Sequence, residues 1–436
     1  MYWQLAVFKR EKEEKSEGVG VGKRREKEKG AEERQADRQG GRHRERESGG
    51  SSGRAVGYQS EVPVGPKASD PALRSTATSC HGFSSCQHSR LTRPERLRSA
   101  NLSFSAVWIS LSVTKMTTPE TVWAELAKTY TIHAETLVAT ATELAANHPA
   151  ASAVPIEEAR ENSIKLHLEI NGEDVEFDGT TEEIDTGGVP ATVYRPASQP
   201  KDSYNVMVFF HGGSLLMNSR VTHDRTLKAL AEQSGVVIVS VEYRLLPCPE
   251  EPMAPFDDAV TATRWVMKHR DQIGGGEGKL GLGGDSAGGQ IVMGVTHEIQ
   301  SGFDFMVLIY PTVNCDTQLP SCKEFETTPS FNTIALRWRF GITNGPFPDA
   351  ENNPRLNAAV RQDLGSSPPA VIVLAQLDPL RDAGTDLAER LKAAGVLVRL
   401  HMIEGVPHGF FSLPGVYKTT TARAFAYISD FLKKFQ

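Results

Sequence analysis

The sequence has few cysteines, and this scarcity excludes a fold held together by disulfide bonds. Five cysteines occur among 436 residues, an odd number at low density, which is typical of proteins from reducing compartments. They are Cys80, Cys86, Cys248, Cys315 and Cys322. Cys315 and Cys322 could pair, but no Cys/His spacing typical of a metal site accompanies them. We therefore expect free thiols, no metal site and a cytoplasmic location.

Long apolar runs are also missing from the first part of the chain. The apolar stretch at residues 106–113 is far shorter than the roughly 20 residues that span a bilayer as a helix. No charged segment that leads directly into an apolar segment opens the chain, so we expect no secretory signal peptide. The sequence therefore predicts no transmembrane segment.

Residues 1–115 have too few apolar side chains to build a folded core. Residues 9–46 are a dense mixture of Lys, Arg, Glu and Gln, and residues 48–100 are rich in Ser, Gly, Pro and Arg. Neither stretch buries enough apolar area to offset the conformational entropy of the chain. We expect a disordered, basic, low-complexity extension; a tail that binds nucleic acid or a membrane surface is the alternative.

Residues 116–436 differ from this extension in charge and in pattern. The net charge of the whole chain is −6, but basic residues exceed acidic ones before position 116 and acidic residues exceed basic ones after it. The patterned part therefore gives no reason to expect nucleic-acid binding. Because this part opens at Met116, we hypothesise that native translation begins there. Mass spectrometry of the native protein tests this, and peptides from residues 11–98 would contradict it.

The glycine-rich segment Gly281–Gly289 is the most informative part of the sequence. It contains a G-x-S-x-G run, Gly284–Gly288, between a predicted strand at 279–283 and a predicted helix at 290–299. In this context Ser286 is expected on a sharp strand-to-helix turn that exposes its hydroxyl, with small neighbours that let the turn close. The run alone is weak support, since it also arises by chance. The segment is not a phosphate-binding loop, because the lysine that such a loop requires after its last glycine is absent. It does not fit a dinucleotide-binding loop either, because that motif would need glycine in place of Ser286.

A nucleophilic serine also needs hydrogen-bond donors for the oxyanion that forms during acyl transfer. His211–Ser214 follows directly after the apolar run 206–210, which predicts a buried strand. Glycines at a strand end let backbone N–H groups face a bound carbonyl. We assign the donors to Gly213 and Ser214, together with the N–H of Ala287. An ordinary Gly-Gly turn is the alternative.

The acid and the base of the expected site follow further along the chain, in the order typical of α/β-hydrolases. Asp378 lies at the tip of a predicted strand, whereas Asp382 lies at the start of the next helix, where it would complement the helix N-terminus. We therefore expect Asp378 as the acid, with Asp382 as the alternative. His408 lies in a Pro/Gly-rich loop after the predicted strand 396–403. Imidazole suits proton transfer near neutral pH, so His408 is the expected base.

Apolar runs and helical spacing alternate along the remaining sequence, which indicates an α/β fold whose mostly parallel sheet carries helices on both faces. The predicted strands are 164–170, 181–185, 191–194, 206–210, 236–241, 279–283, 305–310, 370–375 and 396–403. The predicted helices are 121–147, 225–233, 255–269, 290–299, 383–394 and 422–435. Residues from about 116–160 and 316–368 are expected to form a helical cap over the site, within one domain of residues 116–436. The alternative for 316–368 is a surface excursion.

The motifs together resemble the hormone-sensitive-lipase family of α/β-hydrolases. The resemblance spans about residues 185–436 and is carried by His211–Gly213, Glu242–Pro247, Gly284–Gly289, Asp378–Asp382 and Pro407–Phe410. It implies an α/β-hydrolase fold and a serine carboxylesterase without metal or organic cofactor, acting on small-molecule esters of short- to medium-chain acids. It also implies Ser286, Asp378 and His408 as the triad and an oxyanion hole in the His211 loop with Ala287. The supporting motif residues are His211, Gly212, Gly284, Asp285 and Gly288.

The sequence departs from the family pattern in two of its motifs and in the short segment 300–305, which joins the helix after the nucleophile tightly to the next strand. Ser214 stands where the loop usually has glycine or alanine, which keeps the backbone donor but adds a side chain. Leu246 and Cys248 replace the alanine and glutamate that usually follow Tyr243–Leu245, a segment that we expect to support the oxyanion loop. A small-molecule receptor is one alternative function, but receptor relatives lack the histidine that is retained here as His408. An amide or lactone hydrolase is the other alternative.

Overall fold

The computed structural model describes residues 118–172, 175–197, 204–347 and 349–435. The predictions for residues 1–115, Met116, Cys80 and Cys86 lie outside these ranges. Within them, helices and strands alternate as expected for an α/β fold. The strands are β1 (Thr180–Asp185), β2 (Pro190–Arg195), β3 (Val206–Phe210), β4 (Val237–Val241), β5 (Leu280–Asp285), β6 (Phe305–Ile309), β7 (Ala370–Leu377) and β8 (Val398–Pro407).

Ten α-helices lie before, between or after these strands within the described ranges. They are α1 (Pro119–Leu126), α2 (Ala134–Ala146), α3 (Ile156–Asn171), α4 (Arg220–Ser234), α5 (Ala254–His269), α6 (Ala287–Glu298), α7 (Pro320–Glu324), α8 (Thr333–Thr343), α9 (Arg381–Ala393) and α10 (Lys418–Leu432). Among the described residues, no helix is both long and apolar enough to cross a bilayer.

The strands form one eight-stranded sheet in the order β1-β2-β4-β3-β5-β6-β7-β8. Pairing is antiparallel for β1 with β2 and for β2 with β4, and it is parallel from β4 through to β8. The carboxyl ends of the parallel strands therefore lie at one edge. The predicted site residues follow β3, β5, β7 and β8, so the topology brings them to that edge.

Both faces of the sheet are buried, which explains why its central strands read as continuous apolar runs. In β3, Val206, Val208 and Phe210 join the apolar cluster on one face, and Met207 and Phe209 join the cluster on the other. Helices α5, α6 and α9 pack on the first face, and α4 and α10 on the second. The predicted mostly parallel sheet with helices on both faces is confirmed.

Two predictions about local structure are wrong. The alternating residues 164–170 were expected to form a strand, but they belong to α3, which begins after Pro155 and carries Glu157 and Glu158 in its first turn. Packing explains the difference, because Arg160 of α3 donates to the backbone oxygens of Leu216 at 2.9 Å and Leu246 at 2.8 Å. These contacts hold α3 beside the loop that follows β3 and beside the segment that contains Leu246.

The predicted helix 121–147 is two helices, α1 and α2, separated by residues 127–133. The break is held by tertiary contacts, since the N–H of His133 donates to the oxygen of Gly405 at 3.0 Å and the His133 side chain accepts from the first turn of α2. Tyr130 and Ile132 in the break pack against a cluster that includes Leu377. The apolar residues keep helical spacing through residues 127–133, but tertiary contacts hold this segment in a non-helical conformation, so the single long helix was wrongly predicted.

The cysteines within the described ranges are free thiols, as predicted. Cys248, Cys315 and Cys322 form no disulfide bond. Cys322 is buried, with its thiol 3.3 Å from the backbone oxygen of Pro379, and Cys315 lies 3.5 Å from the Asn344 side-chain amide. Sequence proximity of Cys315 and Cys322 therefore does not lead to pairing.

Candidate active site

Ser286 occupies a strained turn between β5 and α6. Its backbone has φ +53° and ψ −117°, a conformation that a non-glycine residue adopts only where the surroundings enforce it. A Cβ atom on Gly284 would lie 2.4 Å from the carbonyl carbon of Gly288, and one on Gly288 would lie 1.9 Å from the oxygen of Phe210. The two glycines of the motif are therefore required for the turn to close against β3.

The structure brings the three predicted triad residues into one hydrogen-bonded chain. His408 Nε2 lies 2.8 Å from Ser286 Oγ, and His408 Nδ1 lies 2.7 Å from Asp378 Oδ2. Ser286 is 5% exposed, His408 9% and Asp378 0%. An ionised carboxylate only accepts hydrogen bonds, so the imidazole proton belongs on Nδ1 and Nε2 is left to accept from the serine hydroxyl.

Asp378, and not the alternative Asp382, faces the histidine. Asp378 directly follows β7, and its second oxygen accepts from the N–H of Leu380 at 2.8 Å. Asp382 lies in the first turn of α9, where it accepts from the N–H of Ser321 at 2.8 Å and from Arg381 Nε at 2.9 Å. Asp382 thus holds α7 against α9 and makes no hydrogen bond to His408.

The loop after β3 presents the predicted oxyanion donors beside the nucleophile turn. The N–H of Gly212 is already used, because it donates to Asp285 Oδ1 at 2.7 Å. Among the described residues, the N–H groups of Gly213, Ser214 and Ala287 donate to no protein acceptor. Ala287 begins α6, so its N–H is one of the free donors at a helix N-terminus. These three amides are available to a ligand oxygen.

Ser214 has a left-handed backbone, a conformation that glycine adopts more readily than serine. Its φ is +64°, the φ of the next residue, Leu215, is +60°, and the φ of Gly213 is +124°. A Cβ on Gly213 would lie 2.1 Å from the oxygen of Met217. Left-handed backbone costs a non-glycine residue about 1–2 kcal/mol, so Ser214 and Leu215 are strained while Gly213 is not.

Replacing Ser214 with glycine is expected to raise the free energy of unfolding by about 1 kcal/mol, because it relieves this strain. No hydrogen bond of the Ser214 hydroxyl to any described residue is lost, and the backbone donor remains, so kcat should be unchanged. Urea denaturation and ester hydrolysis measure the two effects. Ser429→Gly, in the interior of α10, is the control, and its free energy of unfolding should fall by about 0.5 kcal/mol. A lower free energy of unfolding in the Ser214 variant would contradict the conclusion that the Ser214 backbone is strained.

Asp285 joins the nucleophile turn to the oxyanion loop. The same Oδ1 that accepts from Gly212 lies 3.0 Å from His223 Nε2, and the hydroxyl of Tyr310 lies 3.4 Å from Oδ2. Burial raises the pKa of Asp285, but His223 and the Gly212 amide outweigh it, and the net pKa lies below its ordinary value. A carboxylate held ionised here stabilises the loop geometry on which the donors depend.

His211 and Tyr243 support the loop from below. The two rings stack with centroids 4.3 Å apart, and the hydroxyl of Tyr243 donates to the backbone oxygen of His211 at 2.6 Å. His211 Nδ1 lies 2.8 Å from the oxygen of Gly212. Arg244, the next residue, pairs with Asp258 of α5 at 2.8 Å. The expected supporting role of this segment thus has a direct contact through Tyr243.

We expect stability to fall with acid because of His211. Burial first, and then the nearby His223, lower the pKa of His211 from 6.5 to about 4. The unfolded chain binds a proton that the folded chain excludes, so this stability is present above pH 6.5 and is lost as the pH falls toward 4. The contribution of His211 to the free energy of unfolding should fall by about 2 kcal/mol from pH 7 to pH 5, and His167, whose pKa burial also lowers to about 4, adds to the total loss. Urea denaturation at both values tests this, and His211→Gln should show a smaller difference; an equal difference in that variant would contradict it.

Two aromatic rings enclose His408, and sequence reasoning did not place either of them there. The ring of Tyr310, which follows β6, lies 4.5 Å from the imidazole, and the ring of Phe331, between α7 and α8, lies 4.4 Å from it. The segment 316–368 was expected near the site, but nothing in its sequence distinguishes Phe331 from its other aromatic residues. Only the fold identifies the ring that covers the imidazole.

A metal site does not form among the residues that the structure describes. Within those ranges, no three His, Cys, Asp or Glu side chains converge so that they could hold an ion. The histidines near Asp285 instead contact protein groups, such as Thr222 Oγ1 at 2.9 Å from His223 Nδ1.

Comparison with known proteins agrees with this arrangement. A family model described as the alpha/beta hydrolase fold matches residues 207–412. Esterase LipI of Mycobacterium tuberculosis is 34% identical over 267 residues, which is 59% of this chain and 80% of the relative. Carboxylesterase NlhH of the same organism is 34% identical over 276 residues, or 60% of this chain and 83% of the relative.

A solved structure extends the similarity to three dimensions. The hyperthermophilic esterase from the archaeon Pyrobaculum calidifontis superposes with a TM-score of 0.58 at 29% identity, over 65% of this chain and 94% of that chain. Sequence identity at this level, over most of the length of each relative, indicates common ancestry as well as a common fold. The chain belongs to the α/β-hydrolase family that resembles hormone-sensitive lipase, and it is a hydrolase.

Proposed function

We propose that the protein is a serine carboxylic ester hydrolase that acts through an acyl-enzyme. The observation that carries this proposal is the unbroken chain of short contacts from Ser286 Oγ through the imidazole of His408 to Asp378. A serine hydroxyl is a weak nucleophile until a base takes its proton, and this geometry supplies the base and orients it. Relatives named esterase and carboxylesterase support the same chemistry.

In the first half of the proposed reaction, His408 Nε2 takes the proton of Ser286 as the serine oxygen attacks the ester carbonyl. The carbonyl π electrons move to its oxygen, and Asp378 stabilises the resulting imidazolium. When the tetrahedral intermediate collapses, the C–O bond to the alcohol breaks. Nε2 returns the proton to that oxygen, so the alcohol leaves neutral and the acyl group remains on Ser286.

In the second half, water replaces the alcohol. His408 Nε2 takes a proton from water, whose oxygen attacks the acyl-enzyme carbonyl, and collapse of the second tetrahedral intermediate breaks the bond to Ser286. The proton passes to the serine oxygen, and a carboxylic acid leaves. In both halves the N–H groups of Gly213, Ser214 and Ala287 stabilise the oxyanion, and each such donor contributes about 10²–10³-fold to kcat. The sequence of steps needs no cofactor.

The proposed cap over this site is formed by the segments 116–160 and 316–368. The first segment reaches the second where Trp123 of α1 packs with Phe325 and with Leu377, the residue before Asp378. The hydroxyl of Tyr130 also donates to Glu324 at 2.5 Å. These contacts support a cap assembled from both segments, with Phe331 above the imidazole.

Hydrolysis of a panel of p-nitrophenyl esters from acetate to dodecanoate, with matched anilides and lactones, tests the proposal. We expect a burst of nitrophenol equal to the enzyme concentration, followed by turnover that is highest for short- to medium-chain esters. Faster turnover of anilides or lactones would favour the alternative hydrolases. Binding of these compounds without burst or turnover would overturn the proposal in favour of a receptor.

A further inference from the structure

Arg339 is a buried cation without an anionic partner in the part of the chain that the structure describes. It lies in α8, and its side chain is 1% exposed. The acceptors of its three hydrogen bonds are all neutral, and the ring of Phe340 lies 5.2 Å from the guanidinium carbon. Arg361, the other fully buried large cation of the described ranges, is instead paired with the carboxylate of Asp363 at 2.8 Å. Arg339 therefore differs from an ordinary structural arginine.

The three acceptors of Arg339 belong to three segments that shape the candidate active site. Nε donates to the backbone oxygen of Ser214 at 3.2 Å, and one Nη donates to the side-chain oxygen of Gln290 in α6 at 2.7 Å. The other Nη donates to Thr312 Oγ1 at 2.9 Å, and the N–H of Thr312 donates to the oxygen of Ser286 at 3.0 Å. One side chain thus joins α8 to the oxyanion loop, to α6, and to the segment after β6 that binds the backbone oxygen of Ser286.

The groups around Arg339 leave its charge uncompensated. Its titratable neighbours are Cys315 and Tyr243, and burial raises the pKa of both, so both are neutral at pH 7. Burial lowers the pKa of Arg339 to about 10, which still leaves it protonated. Burying a cation without a counter-charge is costly unless an anion arrives. The positive charge would stabilise an anion that exists only during the reaction more than it stabilises the neutral substrate. An interaction that favours the transition state over the bound substrate raises kcat.

We propose that Arg339 is a positioning residue that holds the carbonyl of Ser214, and with it the backbone conformation of Ser214, and places a positive charge behind the oxyanion hole. The inference rests on the proposed function, because the oxyanion is the tetrahedral intermediate of ester hydrolysis. The guanidinium acts through Ser214, whose carbonyl it binds and whose N–H is one of the proposed donors. It requires no contact between Arg339 and the ester.

Substitution at position 339 separates charge from packing. Arg339→Met keeps an unbranched side chain without charge or donors, and Arg339→Lys keeps the charge without the planar fork. Kinetic constants are expressed per active site, titrated with an alkyl fluorophosphonate, and melting temperatures are measured in parallel. We expect kcat of the Met variant to fall at least tenfold with KM within twofold. The Lys variant should retain at least three times the kcat of the Met variant at pH 7.

The pH profile provides a readout that packing would not change. A buried lysine has a lowered pKa, so kcat of the Lys variant should decline at a lower pH on the alkaline side than kcat of the unaltered enzyme. Arg361→Met, an equally buried arginine, should lower the melting temperature and leave kcat per site unchanged. Arg337 lies on the same helix as Arg339 and forms an exposed ion pair with Glu326, so Arg337→Gln should change neither the melting temperature nor kcat.

Three results would overturn the inference. They are an unchanged kcat per site in the Met variant, a loss confined to KM, and a Lys variant no better than the Met variant. If Arg339→Met is not recovered as folded protein, Arg339→Gln serves as the uncharged variant under the same criteria. Absence of ester hydrolysis by the unaltered enzyme would overturn the proposed function as well, whereas normal hydrolysis with normal kcat in the Met variant would overturn only the role of Arg339.

Discussion

Replacement of Ser286 with alanine is expected to lower kcat for ester hydrolysis about 10⁵-fold or more. The hydroxyl oxygen is the atom that forms the acyl-enzyme, and no other nucleophile in the described site contacts His408 Nε2. The fold should be unaffected, because alanine is strained at this φ and ψ to about the same degree as serine. Within the described ranges, the Ser286 hydroxyl makes only the hydrogen bond to His408. Hydrolysis of p-nitrophenyl butyrate, with melting temperature in parallel, measures both effects.

Ser301→Ala is the matched control for this variant. Ser301 is exposed and lies after α6, so its removal should leave kcat unchanged. An alanine variant of Ser286 that retained more than one hundredth of the activity, after contamination is excluded by a second purification, would remove Ser286 from the mechanism.

Replacement of Asp378 with asparagine is expected to lower kcat about 10⁴-fold. The carboxylate accepts from His408 Nδ1, whereas the asparagine NH₂ group would donate to it and move the imidazole proton to Nε2. An imidazole protonated on Nε2 cannot take the proton of Ser286. The Leu380 N–H still has an oxygen to bind, so KM and the melting temperature should change little. Kinetics with p-nitrophenyl butyrate at pH 7 test this.

Asp382→Asn is the informative control for the acid, because Asp382 is the alternative four residues away. Its contacts hold Ser321 and Arg381. We expect its kcat within threefold of the unaltered enzyme and a free energy of unfolding lower by about 1 kcal/mol. A large kcat loss at 382 with a small one at 378 would reverse the assignment.

The sequence was sufficient to predict most of the sheet and the convergence of the triad. Strands such as β3 are continuous apolar runs between turn residues, which short-range pattern identifies well. Parallel strands end at one edge, so Ser286, Asp378 and His408, each after a strand, were expected to meet there. The structure brings them together at hydrogen-bond distances. Their catalytic roles stay a prediction until the variants are measured.

The parts that could not be predicted depend on contacts between distant segments. Residues 164–170 alternate like a strand, but the partners of α3, such as the oxygen of Leu216 bound by Arg160, lie elsewhere in the chain. The segment 316–368 contains both Phe331, which contacts the imidazole, and Arg339, which binds Ser214. Its sequence pattern does not show how the segment is placed against the sheet, so neither contact could be predicted. Periodicity shows which face of a helix or strand is apolar, but it does not show which other helix, strand or loop packs against that face.

Covalent labelling of the nucleophile is the decisive measurement. The protein is inactivated with an alkyl fluorophosphonate, digested with trypsin, and the peptide 280–323 is sequenced by tandem mass spectrometry. That peptide contains three serines, Ser286, Ser301 and Ser321. We predict one phosphonyl group per chain, on Ser286, with labelling that parallels the loss of ester hydrolysis. Complete inactivation with the label on another residue, or full labelling of Ser286 with activity retained, would contradict the proposed mechanism.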